Sequence, residues 1–108
     1  MDEQAKSTGI EIFEIDALPS FTPRGAIVEA SSVAGNNGGL VVMKLRAGEM
    51  EVHHHDQEHV GVVLEGEFEF VIEGDVIPVK KGEIYRVLPN VPHGVRCAGP
   101  TIIVQAEC

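Results

Sequence analysis

The segment VHHHDQEH, residues 52–59, holds four of the five histidines in the chain. Histidine is the commonest metal ligand, and its neutral ring nitrogens suit zinc, manganese, iron, nickel or copper, whereas calcium and magnesium prefer oxygen. Because strand side chains alternate between two faces, an unbroken strand here would bring His53, His55 and His59 together. The opposite face would carry His54, Asp56 and Glu58. The segment therefore predicts a transition-metal site.

A histidine-rich tract can also be a solvated loop or an expression tag. Tags lie at chain termini, whereas this tract is internal and has strand-like sequence on both sides. Composition alone leaves the loop and the metal site open. A metal site needs further support from a distant part of the chain.

The length of 108 residues predicts one domain, with residues 1–8 as a flexible N-terminal tail and residues 9–108 as the folded unit. No apolar run approaches the ~20 residues that cross a bilayer, and the first residues carry no export signal, so we expect a cytoplasmic protein without membrane contact. The net charge of -9 and the scattered basic residues argue against nucleic-acid binding.

The two cysteines, Cys97 and Cys108, are too few for a disulfide framework and fit a reducing compartment. Cys97 follows His93 by four residues, a spacing that strand parity would turn toward the same face. A role as a small buried apolar side chain is the favoured alternative, because free cysteine is among the most buried residue types.

Short strands separated by glycine and proline turns dominate the rest of the chain. The pattern predicts strands over residues 10–15, 26–30, 40–46, 60–64, 67–73, 76–79, 84–88 and 101–106. Met43 and Leu45 should face inward and Lys44 and Arg46 outward. Pro78 predicts an edge strand or a bulge. Without any sustained helical periodicity, the sequence predicts an all-β sandwich or barrel.

Two spaced motifs make the sequence resemble the cupin family. The first runs from Gly48 through His53-x-His55 and His59 to Gly66, and the second from Gly82 to His93, eleven residues later. Fifteen residues, 67–81, separate the motifs, and motifs and spacer together span residues 48–93, somewhat less than half of the chain. The resemblance implies a small single-domain cupin, an all-β double-stranded β-helix that forms a jelly-roll barrel.

The resemblance also implies a metal site, with His53, His55, His59 and His93 as ligands. His59 stands where the family most often has glutamate, which places the chain with the four-histidine cupins and implies one divalent metal, manganese, iron or nickel, with zinc as a further candidate. Glu58 has the wrong parity, and only a bulge would exchange it with His59. Pro89 and the replacement of an inner glycine by Asn90 predict small loop shifts.

Four neutral ligands leave the full charge on a divalent metal, so the expected substrate is a small, chelating, oxygenated anion. The expected function is metal-dependent dioxygenase, isomerase or lyase chemistry. Tyr85 is a candidate proton donor, and Arg86 a candidate clamp for a substrate carboxylate. Side chains expected to line a pocket or fill the core are Met43, Met50, Val63, Phe68, Phe70 and Tyr85.

Two further hypotheses remain open at the level of sequence. One is a non-catalytic cupin that binds or senses a sugar acid or another small ligand, and the other is a purely structural metal. Under any of them we expect a homodimer, because small cupins commonly pair through sheet edges and N-terminal strands, and an edge such as residues 10–15 needs covering.

Overall fold

The computed structural model describes residues 9–23 and 27–107. These residues form one 3-10 turn, Ile15–Ala17, and nine strands. The strands are β1 Val28–Gly35, β2 Gly38–Leu45, β3 Gly48–His53, β4 His59–Glu65, β5 Glu67–Ile72, β6 Asp75–Lys80, β7 Ile84–Val87, β8 His93–Cys97 and β9 Thr101–Glu107. Across those two ranges, no helix has the length and apolar character needed to span a bilayer.

The strands pair antiparallel in two sheets. One sheet has the order β1-β2-β9-β4-β7 and the other the order β3-β8-β5-β6. Both sheets contribute to one apolar core, which contains Val28, Ala30, Val41, Leu45, Val63, Phe68, Phe70, Val79, Val95, Cys97 and Ile103. The all-β jelly-roll prediction is confirmed, since the described strands form two antiparallel sheets that share this core.

Six of the eight predicted strands are present with boundaries within two residues of those predicted. The second predicted strand begins at Val28 and continues to Gly35, while residues 24–26 lie outside the described ranges. Leu45 is buried, Met43 packs against the core and Lys44 is exposed, as the alternation predicted. Pro78 lies in β6 at the edge of the four-stranded sheet, where a missing backbone N–H is tolerated.

The predicted strand over residues 10–15 is wrong. Residues 10–14 belong to no strand, and the chain then forms the 3-10 turn. The apolar residues Ile12 and Phe13 are adjacent, so no single face of a strand could bury them both, and Ile12 is 89% exposed. An ion pair between Asp16 and Lys44 at 3.2 Å links the turn to β2 instead.

The histidine segment is not one unbroken strand, and this premise of the parity argument is wrong. Strand β3 ends at His53 and β4 begins at His59, with residues 54–58 forming a loop. The register of β3 with β8 shifts between Met50 and His53, which marks a bulge just before the loop. The positions of the histidines therefore depend on two strand ends and a loop.

The structure explains why the first motif ends in a glycine, Gly66. It has a φ of 79°, in the left-handed region that side chains with a Cβ rarely adopt. A Cβ on Gly66 would also overlap the backbone oxygen of Pro100 and crowd Thr101, the first residue of β9. This glycine therefore allows the β4–β5 turn to pack closely against the start of β9.

Of the two cysteines, the structure describes Cys97. Cys108 and the predicted flexible tail, residues 1–8, lie outside the described ranges. Cys97 is 4% exposed, and its Sγ lies 2.9 Å from the backbone oxygen of Gly99. Its predicted role as a small buried side chain is confirmed.

Candidate metal centre

Four histidines meet where strand ends and loops come together. His53, the last residue of β3, pairs with His93, the first residue of β8. His59 is the first residue of β4, and His55 lies in the loop between. The backbone N–H of Asn90 donates to the oxygen of His55 at 2.6 Å, which ties this loop to the approach to His93. Asn90 has a left-handed φ of 64°, a conformation that asparagine adopts more readily than most other residues with a Cβ.

Three of the imidazoles have the geometry of a metal-binding set. In residues 9–23 and 27–107, the group whose ligand atoms all lie within 4.8 Å of one another contains His53, His55 and His93. His59 is outside this group, although its ring centroid lies 4.2 Å from that of His55. The ring centroids of His53 and His93 are 4.5 Å apart. The structure therefore brings three predicted ligands together and places the fourth beside them.

Backbone carbonyls fix the tautomer of two of these rings. The Nδ1 of His53 lies 2.8 Å from the oxygen of Glu51, and the Nδ1 of His93 lies 2.8 Å from the oxygen of Val91. A carbonyl oxygen only accepts, so each Nδ1 carries the hydrogen. In each neutral ring the lone pair then lies on Nε2, the arrangement that outer-shell hydrogen bonds give to ligand histidines. This donor set fits a divalent transition metal.

His59 has a different environment. It is 6% exposed, and its Nδ1 lies 3.2 Å from Nε2 of Gln105, whose Oε1 accepts a 2.6 Å hydrogen bond from the Tyr85 hydroxyl. Burial lowers the pKa of His59 below 6.5; Glu107 opposes this shift and His93 adds to it. Burial, together with Glu107, raises the pKa of Tyr85, so its hydroxyl keeps its proton at neutral pH.

The stability of the metal-free protein should therefore fall as the pH drops below 6.5, the ordinary pKa of histidine. As the pH falls below 6.5, His59 becomes protonated in the unfolded chain before it does in the folded chain, which favours unfolding. The loss of unfolding free energy stops once the pH is below the pKa of His59 in the folded protein. Urea unfolding of parent and His59→Gln between pH 5 and 7.5 measures the effect. Equal pH slopes for the two proteins would contradict it.

The histidines open into a cavity of about 460 Å³. Its wall is largely apolar: Met43, Met50, Phe68, Phe70 and Tyr85 line it and also belong to the core or pack against it, while Val63 is fully buried in the core. Its polar lining includes Gln57, Gln105 and Glu107 besides the four histidines. A cavity of this size and character suits a small ligand held by a few polar groups.

Several side chains of the histidine region lie elsewhere. His54 is exposed and lies outside the group of His53, His55 and His93. Glu58 faces Arg86, whose Nε lies 3.7 Å from its Oε2, and the Arg86 side chain is 65% exposed. Neither Glu58 nor Arg86 lines the cavity into which the histidines open. The carboxylate clamp assigned to Arg86 stays a prediction.

Sequence reasoning missed three residues of the site, Gly61, Gln105 and Glu107. Gln105 and Glu107 lie on β9 in alternation with buried Ile103, and both line the cavity. A glutamine on the inward face of an apolar strand is a signal that alternation could have provided. Gly61 pairs with both Tyr85 and Gln105, and a Cβ there would overlap the Tyr85 ring, which no sequence pattern indicates.

Solved structures share this architecture. An uncharacterised double-stranded β-helix protein from Klebsiella pneumoniae is 26% identical over 92% of this chain and 90% of its own, with a TM-score of 0.72. The polyketide cyclase RemF from Streptomyces resistomycificus is 19% identical over 92% and 80%, with a TM-score of 0.75. A variant of oxalate decarboxylase from Bacillus subtilis is 18% identical with a TM-score of 0.72; the match covers 88% of this chain but 28% of that enzyme.

The sequence has no significant match among curated proteins. A family profile described as "Cupin domain" matches residues 39–105. This range includes the four histidines around the cavity, His53, His55, His59 and His93, together with Tyr85 and Gln105. This range is more than half of the 108 residues and includes strands from both sheets. The chain therefore belongs to the cupin family.

Proposed function

We propose that the protein is a metal-dependent enzyme that acts on a small, chelating, oxygenated anion by dioxygenase, isomerase or lyase chemistry. His53, His55 and His93 hold one divalent metal, manganese, iron or nickel, with zinc as a further candidate, and His59 completes the set. The observation that carries the proposal is the convergence of three imidazoles on an apolar cavity, with two of their Nδ1 atoms bound to backbone carbonyls.

The bound metal would supply Lewis acidity or a binding position for oxygen. Four neutral ligands would leave its double positive charge uncompensated, which favours anionic substrates. RemF and oxalate decarboxylase, both named as enzymes, share the fold and make catalysis a reasonable expectation here. The apolar cavity wall would exclude water and strengthen each electrostatic contact made inside it.

The remaining polar groups of the cavity have distinct chemical capacities. Tyr85 keeps its proton because of burial, so it serves as a hydrogen-bond or proton donor rather than as a nucleophile. Glu107 is the carboxylate of the cavity lining and pairs across the sheet with His59, a position suited to a general base. Arg86 remains a weaker candidate for the substrate carboxylate, because its side chain is 65% exposed and pairs with Glu58.

A two-stage experiment tests the proposal. The first stage measures the metal content of protein purified without a histidine tag, and we expect close to one transition metal per chain. The second stage screens small hydroxy acids and keto acids for turnover, with oxygen consumption recorded in parallel. Metal retained without any turnover, but with saturable binding of a sugar acid, would favour the non-catalytic binding protein instead.

The His59→Glu variant separates a reactive centre from a structural one. It should still bind metal, because three imidazoles and a carboxylate remain, but the added negative charge should weaken capture of an anionic substrate. We therefore expect retained metal content with a changed KM or kcat for the substrate found in the screen. Identical kinetics at matched metal content would argue that the chemistry takes place away from the metal.

We also propose a homodimer that covers the apolar N-terminal segment. Ile10, Ile12, Phe13 and Ile15 are 45–89% exposed, which is unusual for large apolar side chains so close together. Sedimentation at micromolar concentration should give the dimer mass, and an Ile12→Asp, Phe13→Asp variant should shift the protein toward the monomer. A parent that sediments only as a monomer would refute this assembly.

A further inference from the structure

A hydrogen-bonded chain joins Tyr85, Gln105 and His59 across three adjacent strands. Tyr85 Oη donates to Gln105 Oε1 at 2.6 Å, and Gln105 Nε2 lies 3.2 Å from His59 Nδ1. Strands β7, β4 and β9 are neighbours, with Gly61 of β4 paired to Tyr85 on one side and to Gln105 on the other. Because Gly61 has no side chain, the Tyr85 hydroxyl can reach across β4.

This chain gives His59 the opposite tautomer from its neighbours. An amide nitrogen donates, so His59 Nδ1 accepts from Gln105, and the hydrogen of the neutral ring must lie on Nε2. In His53 and His93 the hydrogen lies on Nδ1, because a backbone carbonyl accepts it there. In this state His59 has an N–H where a metal ligand needs a lone pair, and it lies outside the three-histidine group.

We propose that Gln105 is a positioning residue for His59 and that its amide reverses when the fourth ligand binds metal, an inference that rests on the proposed four-histidine site. A half turn of the amide exchanges Oε1 and Nε2 in place. Oε1 then accepts from His59 Nδ1–H, and Nε2 donates to the Tyr85 oxygen. His59 Nε2 loses its proton to water and Nδ1 gains one from water, so the protein's charge is unchanged.

The reversal also changes what Tyr85 can do. With the amide in its present orientation, the Tyr85 hydroxyl is a donor to Gln105 Oε1. After the reversal its oxygen accepts from Gln105, and its hydrogen is directed to another acceptor. Tyr85 lines the cavity, so a substrate oxygen held there is the acceptor that this geometry offers. Metal binding by His59 and substrate recognition by Tyr85 are then coupled through one amide group.

A double-mutant cycle with Co²⁺ as the probe tests the positioning role. Gln105→Met keeps the side-chain length but makes no hydrogen bond, and it should weaken Co²⁺ affinity roughly 10–100-fold, the usual cost of losing an outer-shell partner. In a His59→Ala background the same substitution should change affinity less than about twofold. Gln105→Glu, which accepts from both neighbours, should restore the affinity and the visible Co²⁺ spectrum.

The control and the contrary outcomes separate this inference from the proposed function. Ile103→Met alters packing two residues away on the same strand without removing a hydrogen bond, and it should leave Co²⁺ affinity unchanged. Equal effects of Gln105→Met with and without His59, or no effect in either, would overturn the positioning role while leaving the metal site intact. A parent protein that binds Co²⁺ without His59 would overturn the positioning role and the four-histidine set, whereas a parent that binds no Co²⁺ would overturn the proposed metal site itself.

Nitrogen NMR of the imidazoles tests the reversal itself. Metal-free parent should show His59 with the hydrogen on Nε2, and the Zn²⁺-loaded protein should show it on Nδ1. Metal-free Gln105→Glu should already have the hydrogen on Nδ1, because a carboxylate does not donate. One and the same tautomer of His59 in the metal-free and loaded parent would overturn the reversal.

Discussion

Metal content should fall from close to one atom per chain to almost none in the His53→Ala, His93→Ala double variant. These two residues face each other across the β3–β8 pair, and backbone carbonyls accept from Nδ1 of both rings, which places the lone pair of each neutral ring on Nε2. Removing both leaves two of the four proposed ligands, His55 and His59. We expect an affinity loss well beyond the roughly 100-fold that the loss of an outer-shell partner costs. Elemental analysis after gel filtration measures it.

His54→Ala is the matched control for this double variant. It also removes an imidazole from the histidine segment, but His54 is exposed and lies outside the group formed by His53, His55 and His93. Metal content should be unchanged, and the free energy of unfolding should stay within roughly 0.5 kcal/mol of the parent. Circular dichroism shows whether the double variant is folded. If the folded double variant keeps its full metal content, or if His54→Ala loses metal, the metal is bound elsewhere.

The strand pattern and the spacing of two motifs were enough to predict the fold. Alternation placed Leu45 in the core and Lys44 outside it, and the edge position of Pro78 followed from its missing N–H. These features depend on local chain geometry, which a sequence reveals directly. The strand predicted at residues 10–15 failed because strand formation needs a partner, and nothing in Ile12-Phe13 indicates whether a neighbouring strand is present.

Sequence reasoning named the histidines of the candidate site, but it missed the residues around them and could not predict how the chain positions the rings. Parity grouped His53, His55 and His59 on the assumption of one strand, yet His55 lies in a loop that a hydrogen bond from Asn90 holds in place. That bond joins residues 35 positions apart, and local periodicity contains no such information. The pairing of Gln105 with His59 is likewise a product of sheet order, since β9 lies next to β4 only in the folded chain.

Gly61→Ala should destabilise the protein by about 1–3 kcal/mol or more, although the change adds a single methyl group. A Cβ at this position would overlap the hydroxyl oxygen and Cζ of Tyr85 and would lie 2.8 Å from its Cε2. The ring has little room to move, because Phe68 and Phe70 pack against it at centroid distances of 5.7 and 5.2 Å. Displacing the ring would also break the hydrogen bond to Gln105, worth about 0.5–1.5 kcal/mol.

Two further variants show whether the cost of Gly61→Ala comes from Tyr85. Gly99→Ala is the control, because a Cβ there has no atom within 4 Å, and its unfolding free energy should stay within roughly 0.5 kcal/mol of the parent. Tyr85→Ala should itself cost about 3–5 kcal/mol, as large core truncations do. In that background Gly61→Ala should be neutral or stabilising by up to about 1 kcal/mol, since alanine loses less backbone entropy than glycine in a strand. Urea unfolding of the double variant measures this. If the losses in unfolding free energy from Gly61→Ala and Tyr85→Ala simply add, the clash is contradicted, because a direct clash with Tyr85 disappears once the Tyr85 side chain is removed.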